Sequence, residues 1–318
     1  MLPKLLKRLE DFSLPTLSRR ALVGFWLMGI IIFIGVLALA LQDKIVAVLA
    51  PRGEIALQQK ELLLFATGLS LLVLLPTYYM LYTFAWRYRE GHAKQYKPKW
   101  DSNKKLEAVW WGVPILIISV LAVIAWTTSH SLDPYKPLVS ANAPVKVQVI
   151  ALQWKWLFVY PDQNVASVNR LVIPVNTPVD LTITSDAPMN SFWIPQLGGQ
   201  IYAMAGMSTK LHLNATSIGE YRGMSANLSG AGFSDMTFVA DARSKQDFDS
   251  WVGKLATNAN ATALTEQSYE NLAQPATSEV TFFRVEDPSI YDNVMMKYMT
   301  GDAHSSDTYK HSIQEAAQ

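Results

Sequence analysis

The residues with the clearest chemical implication lie between positions 219 and 236, where the chain reads GEYRGMSANLSGAGFSDM. Ser225 and Ser229 lie four residues apart with Asn227 between them, and Met236 follows. Soft metal ions in proteins are held by thiolate, imidazole and thioether groups together. Serine hydroxyls are hard donors that stay protonated, and a single thioether is a weak ligand. The stretch therefore predicts a polar cluster that holds no transition metal.

The rest of the chain agrees with a protein that binds no metal. It contains no cysteine, so a thiolate-bridged copper pair or an iron–sulfur cluster cannot form. The five histidines are scattered and show no pairing at the spacing of metal ligands: His92, His130, His212, His304 and His311. No catalytic triad, paired carboxylates or nucleotide-binding motif stands out, so we predict no catalytic residue in this chain.

Alternating apolar and polar residues predict that β-strands position the polar cluster. Such alternation covers residues 145–149, 179–184 and 209–213, and residues 236–240 form a further candidate strand. Short strands separated by turn residues are typical of an all-β Greek-key sandwich or barrel. A polar, proline-containing segment over residues 131–144 is expected to link this barrel to the preceding part of the chain.

Three uncharged hydrophobic runs precede the β-region, over residues 21–42, 62–86 and 108–128. Each exceeds the ~20 residues that a helix needs to cross a bilayer. The second and third predict a transmembrane helical hairpin within residues 44–130. The first, within residues 1–43, is consistent with either a cleaved signal peptide or a retained third transmembrane helix.

The distribution of charge predicts the orientation of the hairpin. The connection between its helices is rich in basic residues, namely Arg87, Arg89, Lys94, Lys97, Lys99, Lys104 and Lys105. By the positive-inside rule this connection is cytoplasmic, so everything after Thr128 lies on the opposite side of the membrane. The net charge of +1 gives no indication of a nucleic-acid partner.

The polar cluster and the segment Asn190-Ser191-Phe192-Trp193-Ile194-Pro195 resemble the copper-site segments of subunit II of the haem-copper respiratory oxidases. In members that oxidise cytochrome c, two cysteines, two histidines, a carboxylate and a methionine surround a binuclear copper centre. The aligned positions here hold other residues apart from the methionine: Ser225 and Ser229 for the cysteines, Asn190 and Phe233 for the histidines, Asn227 for the carboxylate, and Met236. The segments around the copper site are therefore recognisable, but the copper-ligating residues other than the methionine are replaced.

That combination resembles the quinol-oxidising branch of the family, the cytochrome o (bo-type) ubiquinol oxidases, over roughly residues 62–242. The resemblance implies a cupredoxin-like Greek-key barrel over residues 131–243, in the periplasm of a bacterium, with the hairpin in the inner membrane. It also implies a mixed, aromatic-rich C-terminal extension over residues 244–318. The end of this extension, from Gly301 onward, is polar and is expected to be disordered. The rings of the extension either pack on the barrel or dock a neighbouring subunit: Tyr269, Phe282, Phe283, Tyr291 and Tyr298.

The resemblance further implies a non-catalytic, structural subunit of a proton-pumping ubiquinol oxidase that reduces oxygen to water. Haems and the remaining copper are then expected in subunit I, with ubiquinol as the substrate of the complex. The expected partners are subunit I, further small membrane subunits and the lipid bilayer, but not cytochrome c.

Two further residues match family positions. Glu107, ahead of Trp110 and Pro114, matches a glutamate at the mouth of a proton-uptake path, and an ionisable group at the membrane edge is a functional candidate in its own right. Trp154 matches the tryptophan that passes electrons to copper in the copper-bearing branch. With no copper behind it, we expect Trp154 to have a structural role.

Two other functions are alternatives to that of an oxidase subunit. A cytochrome c oxidase subunit with an intact copper centre is excluded by Ser225, Ser229 and the other replaced ligands. A membrane-anchored periplasmic binding or assembly module would need metal ligands in an exposed loop. Met204 and Met207 are the only candidates for that role, and we expect them to be packing residues.

Overall fold

The computed structural model describes residues 46–89, 103–258 and 261–299. The chain divides into two units, Met1–Leu49 and Ala50–Gln318. In the first unit the described residues form a short 3₁₀ turn at Ala47–Leu49. The hydrophobic run at residues 21–42 lies outside the described residues, and so does the disordered end expected from Gly301 onward.

Two long helices confirm the predicted hairpin: α1 (Glu54–Arg87) and α2 (Lys104–Ser131). The side chain of Asn103 caps α2 by accepting hydrogen bonds from the backbone of Lys105 and Leu106, at 3.1 and 3.2 Å. In the most apolar window of each helix, no residue is buried against the rest of the described chain. Both helices therefore present apolar surface that lipid or other membrane helices must cover.

The β-region forms two sheets. Its strands are β1 (Val145–Leu152), β2 (Lys155–Tyr160), β3 (Val165–Val168), β4 (Arg170–Pro174), β5 (Val179–Ser185), β6 (Asn190–Trp193), β7 (Ile201–Ala203), β8 (Thr209–Leu213), β9 (Gly219–Ser225) and β10 (Thr237–Arg243). The order β4-β10-β9-β6-β7 makes one sheet, and the order β3-β2-β1-β5-β8 makes most of the other. Strand β1 pairs in parallel with β5, and β10 pairs in parallel with β4, so the chain crosses repeatedly between the sheets. This is the predicted Greek-key arrangement.

Aromatic side chains fill the space between the sheets. Phe192 stacks on Phe238 with ring centroids 5.0 Å apart, and Trp156 meets both rings edge-on. A Cβ atom on Gly223 would lie 2.1 Å from the ring of Phe238, so this position has no room for a side chain. The barrel therefore has its own core and does not depend on the membrane helices for it.

The C-terminal extension comprises α3 (Lys245–Thr257), β11 (Thr262–Leu264), α4 (Glu266–Ala273), β12 (Thr281–Val285) and α5 (Ile290–Met299). Strand β12 pairs antiparallel with β3, so the extension adds two strands to a sheet of the barrel. Tyr269, Phe283 and Tyr291 are buried in a second core between that sheet and the extension. For these rings, the structure shows packing on the barrel, the first of the two alternatives.

The segment that leads into α1 is attached directly to the barrel. The backbone NH of Arg52 donates to the carbonyl oxygen of Gln196 at 2.7 Å, and the carbonyl oxygen of Arg52 accepts from the NH of Thr216 at 2.7 Å. The NH of Glu54 donates to the side-chain oxygen of Asn214 at 3.1 Å. The first turn of α1 and the barrel therefore lie on the same side of the membrane.

Candidate functional site

The polar cluster predicted from the sequence and the upstream position Asn190 lie where two neighbouring strands meet a loop; together they are called the polar cluster below. Asn190 begins β6 and Ser225 ends β9, and these strands pair so that Phe192 lies opposite Ser225. Residues 226–236 then form the loop that leads into β10. Asn190, Ser225, Ser229 and Met236 are all buried, with exposed fractions of 1 to 8%. The structure therefore brings these four positions into the interior of the barrel end.

Hydrogen bonds inside the protein satisfy the polar atoms of the cluster. The hydroxyl of Ser225 donates to Asn190 Oδ1 at 3.0 Å and lies 3.2 Å from the carbonyl oxygen of Asn227. Asn190 Nδ2 donates to the carbonyl oxygen of Pro188 at 2.7 Å, and Asn227 Nδ2 donates to that of Met189 at 2.8 Å. The cluster thus ties the β6 and β9 ends together as a structural joint.

The cluster offers no donor set that suits a metal ion. Met236 Sδ lies 4.0 Å from the hydroxyl of Ser229, and that hydroxyl is a hard, neutral donor. Phe233 lies in a 3₁₀ turn (Phe233–Asp235) and has no ligand atom in its side chain. Across the described ranges, no three His, Cys, Asp or Glu side chains come together as metal ligands would.

Trp154 packs against the loop of the cluster. It lies in the turn between β1 and β2 with a φ of 69°, and its indole NH donates to the carbonyl oxygen of Ser229 at 3.4 Å. A Cβ atom on Gly232 would lie 2.4 Å from the indole ring, so the ring lies directly on the loop backbone. The contacts of Trp154 are those of a structural side chain that fixes residues 229–232.

Lys155 is an important residue that no local sequence pattern indicates. Its side chain is buried, and Nζ donates to the carbonyl oxygens of Leu272 and Gln274 at 2.8 and 3.0 Å. These carbonyl groups lie at the C-terminal end of α4, where a cation is favoured. Burial lowers the pKa of the Lys155 ammonium group. This lysine joins the barrel to the extension.

Asp186 is a second important residue without a local sequence signal. Its side chain is 2% exposed and accepts hydrogen bonds from three donors of the extension: Tyr269 OH at 2.7 Å, Tyr298 OH at 2.6 Å and Lys297 Nζ at 2.8 Å. Burial, followed by the negative charge of Asp186, raises the pKa of Tyr269 well above its usual value, so this phenol remains a donor. One carboxylate therefore anchors α4 and α5.

Glu107 lies far from the polar cluster. It is exposed in the first turn of α2, and its backbone NH donates to the carbonyl oxygen of Asn103 at 2.9 Å. The barrel follows the opposite end of α2, roughly 36 Å away at a rise of about 1.5 Å per residue. The structure thus keeps the two sets of predicted site residues on opposite ends of the hairpin.

The two candidate methionines differ in their surroundings. Met204 is partly buried, as expected for a packing residue, whereas Met207 is 51% exposed. The packing expectation is therefore wrong for Met207 in the isolated chain. In the described part of the chain, neither sulfur makes a hydrogen bond.

Two protein families match the chain. The family described as "Cytochrome C oxidase subunit II, periplasmic domain" matches residues 163–243, and the family described as "COX Aromatic Rich Motif" matches residues 259–302. These ranges cover strands β3 to β10 of the barrel and the extension from β11 onward. The predicted fold, a helical hairpin followed by a cupredoxin-like barrel and an aromatic-rich extension, is confirmed.

Curated relatives match over most of the chain. "Cytochrome bo(3) ubiquinol oxidase subunit 2" of Pseudomonas putida is 47% identical over 274 residues, which is 86% of this chain and 86% of the relative. "Ubiquinol oxidase subunit 2" of Acetobacter aceti is 48% identical over 83% of this chain and 86% of the relative. "Quinol oxidase subunit 2" of Bacillus subtilis (strain 168) is 38% identical over 74% of each chain.

Among solved structures, the chain is similar to the periplasmic domain of subunit II of cytochrome oxidase (CoxB) of Bradyrhizobium japonicum. The sequence identity is 23% and the TM-score is 0.34, with 36% of this chain and 96% of the other chain covered.

Proposed function

The chain belongs to the subunit 2 family of the ubiquinol oxidases, and we propose that it is the non-catalytic, structural subunit of such a complex. The complex would oxidise ubiquinol, reduce oxygen to water and pump protons. The observation that carries this proposal is the polar cluster itself. Asn190 and Ser225 hydrogen bond to each other at the position where the copper-bearing branch holds its metal.

In this proposal, the use of ubiquinol as the electron donor explains why the barrel needs no metal ligands. Cytochrome c is water-soluble and needs an entry site in the periplasm, whereas ubiquinol dissolves in the bilayer and can deliver its electrons there. The barrel then serves as a scaffold. At the positions that correspond to the copper site, Trp154 and the hydrogen bonds of Ser225 hold the protein together. The haems and the remaining copper belong to subunit I in this proposal, and no cytochrome c binds.

The hairpin supports an integral position in the complex. Its helices leave their apolar windows uncovered by the described chain, which suits insertion between lipid and the helices of subunit I or of further small membrane subunits. The basic connection between α1 and α2 favours a cytoplasmic position, so the barrel would lie in the periplasm of an inner-membrane protein.

Co-purification with activity measurements tests the proposed function. The chain is purified gently from its native membranes, and haem spectra, copper content and oxygen uptake are recorded on the same sample. We expect haem and one copper in a large partner subunit, and oxygen uptake with ubiquinol but not with reduced cytochrome c. A chain that purifies alone without haem would instead favour the membrane-anchored binding or assembly module.

We also propose that Glu107 exchanges protons with water at the cytoplasmic mouth of an uptake path. Its position in the first turn of α2, exposed and adjacent to Lys104 and Lys105, supports this role. Among the described residues, its carboxylate makes no ion pair. Subunit I would continue the path from there.

Replacing Glu107 with alanine tests the proton-entry role. We expect turnover with ubiquinol to fall on the order of tenfold, equivalent to about 1.4 kcal/mol of added barrier, while haem content and assembly stay normal. Glu61→Ala is the matched control, because Glu61 is an exposed glutamate near the other end of the hairpin. Turnover that equals the control in a fully assembled Glu107→Ala complex would exclude the role.

A further inference from the structure

A groove of about 480 Å³ lies between α3 of the extension and strand β12. Its volume falls within the range of about 300–1,000 Å³ that is typical of small-molecule sites. Arg170 and Arg243 contribute from the barrel, whereas Trp251, Lys254, Val280 and Phe282 contribute from the extension. The groove has no part in the proposed oxidase function. Its lining combines an apolar surface with a cationic one.

The first kind of surface is an aromatic and aliphatic wall. The ring of Trp251 meets that of Phe282 edge-on at 6.1 Å and that of Tyr160 edge-on at 5.4 Å. Tyr160 is fully buried and thus supports Trp251 from the core side. Trp251 and Phe282 remain partly exposed, and Val280 is 44% exposed. The wall is therefore held rigidly and still has apolar surface left to cover.

The second kind of surface is cationic. Among the described residues that line the groove are two arginines and a lysine, and none of these described residues is acidic. Lys254 makes no ion pair with any described residue. Arg170 and Arg243 both bind the Oδ2 atom of Asp241, with Nη2 distances of 2.7 and 2.6 Å, and Arg170 also binds Glu220. These three cationic side chains are accompanied by two carboxylates, those of Asp241 and Glu220. One positive charge in this group is therefore not neutralised.

The shared carboxylate fixes the two guanidinium groups in place. Burial alone would raise the pKa of Asp241, but hydrogen bonds from Arg243 and Arg170 and their charges outweigh it, so the pKa lies below its usual value. Asp241 therefore stays ionised at neutral pH. Each arginine keeps N–H donors that Asp241 and Glu220 do not use, and these donors are held in a fixed position. Ligand binding therefore requires little further loss of side-chain entropy.

We propose that this groove is a binding site for small amphiphilic anions, in which Lys254 and Arg243 hold the anionic group and Trp251, Phe282 and Val280 cover the apolar group. Planar donors in a fixed arrangement suit carboxylate, sulfonate or phosphate groups. Because the ligand would touch both the barrel and β12, its binding would strengthen the attachment of the extension.

Binding of naphthalene-2-sulfonate to the full-length chain in lipid nanodiscs tests the site. The sulfonate stays ionised at every accessible pH, and isothermal titration measures its dissociation constant. We expect saturable binding that is about tenfold tighter than that of the neutral naphthalene-2-sulfonamide and of inorganic sulfate. Dodecyl phosphate, below its micellar concentration, distinguishes the source: tighter binding than the aromatic sulfonate indicates a lipid-derived ligand, and weaker binding indicates a soluble one.

Two lysines of α3 provide a matched pair of variants. Lys254→Gln is expected to weaken sulfonate binding about tenfold, whereas Lys245→Gln, on the same helix but outside the groove and paired with Asp249, is expected to leave it unchanged. Equal binding of the sulfonate and the sulfonamide would overturn the proposal. Equal effects of the two lysine substitutions would overturn it as well.

Discussion

Replacing Asp186 with alanine is expected to release α4 and α5 from the barrel. The substitution removes the acceptor of Tyr269, Tyr298 and Lys297 in one step. The buried Tyr269 donor left without a partner, together with the lost hydrogen bonds of Tyr298 and Lys297, corresponds to a local destabilisation of about 3 kcal/mol. The free energy that opens the extension should fall by that amount, while the core between the two sheets of the barrel stays folded.

Limited trypsin digestion of the full-length chain measures the release. Cleavage after Arg284 in β12 and after Lys297 in α5 requires local opening, so a loss of about 3 kcal/mol should accelerate it about 100-fold. Asp186→Asn keeps one acceptor oxygen and should give an intermediate rate. Asp249→Ala removes an exposed ion pair with Lys245 and should leave the rate nearly unchanged. An Asp186→Ala rate equal to this control would show that the carboxylate does not hold the extension.

Each strand that the sequence predicted has a stretch in which only one face is covered. Strands β1, β5 and β8 contain predicted runs, and β10 begins one residue after the start of its predicted run. Strand β2 was missed although every residue in it is buried. Trp156 and Phe158 point to the core between the sheets, whereas Leu157 and Val159 point to the second core under the extension. A strand covered on both faces has no alternation to detect.

The start of α1 was missed for a related reason. The hydrophobic run begins at Leu62, because Lys60 and Glu61 interrupt the uncharged stretch, but the helix begins at Glu54. Its first turns contact the barrel and water instead of lipid, so no hydrophobic criterion applies to them. A hydrophobic run predicts only the part of a helix that lies in the membrane. The ends of the helix depend on local contacts, which the run does not reveal.

Some site residues could be predicted from the sequence and others could not, depending on how far away in the sequence their partners lie. The positions of the polar cluster follow from the resemblance, and the structure brings Asn190 and Ser225 together. Asp186 and Lys155 carry no local signal, because their partners lie 83 to 119 residues away in the extension. Burial of an aspartate or a lysine depends on such distant partners, and a single sequence does not reveal them.

Replacing Gly53 with alanine is expected to open the joint between the hairpin and the barrel. A Cβ atom at this position would lie 2.6 Å from the carbonyl oxygens of both Asn214 and Leu197. These are backbone atoms that cannot rotate away, so the segment at Arg52 must shift and stretch its 2.7 Å hydrogen bonds. The φ of −131° at Gly53 suits any residue, so crowding alone causes the effect. Overpacking of this kind costs about 2 kcal/mol.

Trypsin cleavage after Arg52 reports directly on this joint. In the native chain both backbone groups of Arg52 are hydrogen bonded, so the bond is protected, and a loss of about 2 kcal/mol should raise the cleavage rate about 30-fold. Gly253→Ala is the matched control, because an added Cβ there meets nothing within 4 Å on the exposed face of α3. Since alanine favours helix, that control should be neutral or slightly stabilising. If the Gly53→Ala variant were cleaved at the rate of the Gly253→Ala control, crowding at Gly53 would not open the joint between the hairpin and the barrel.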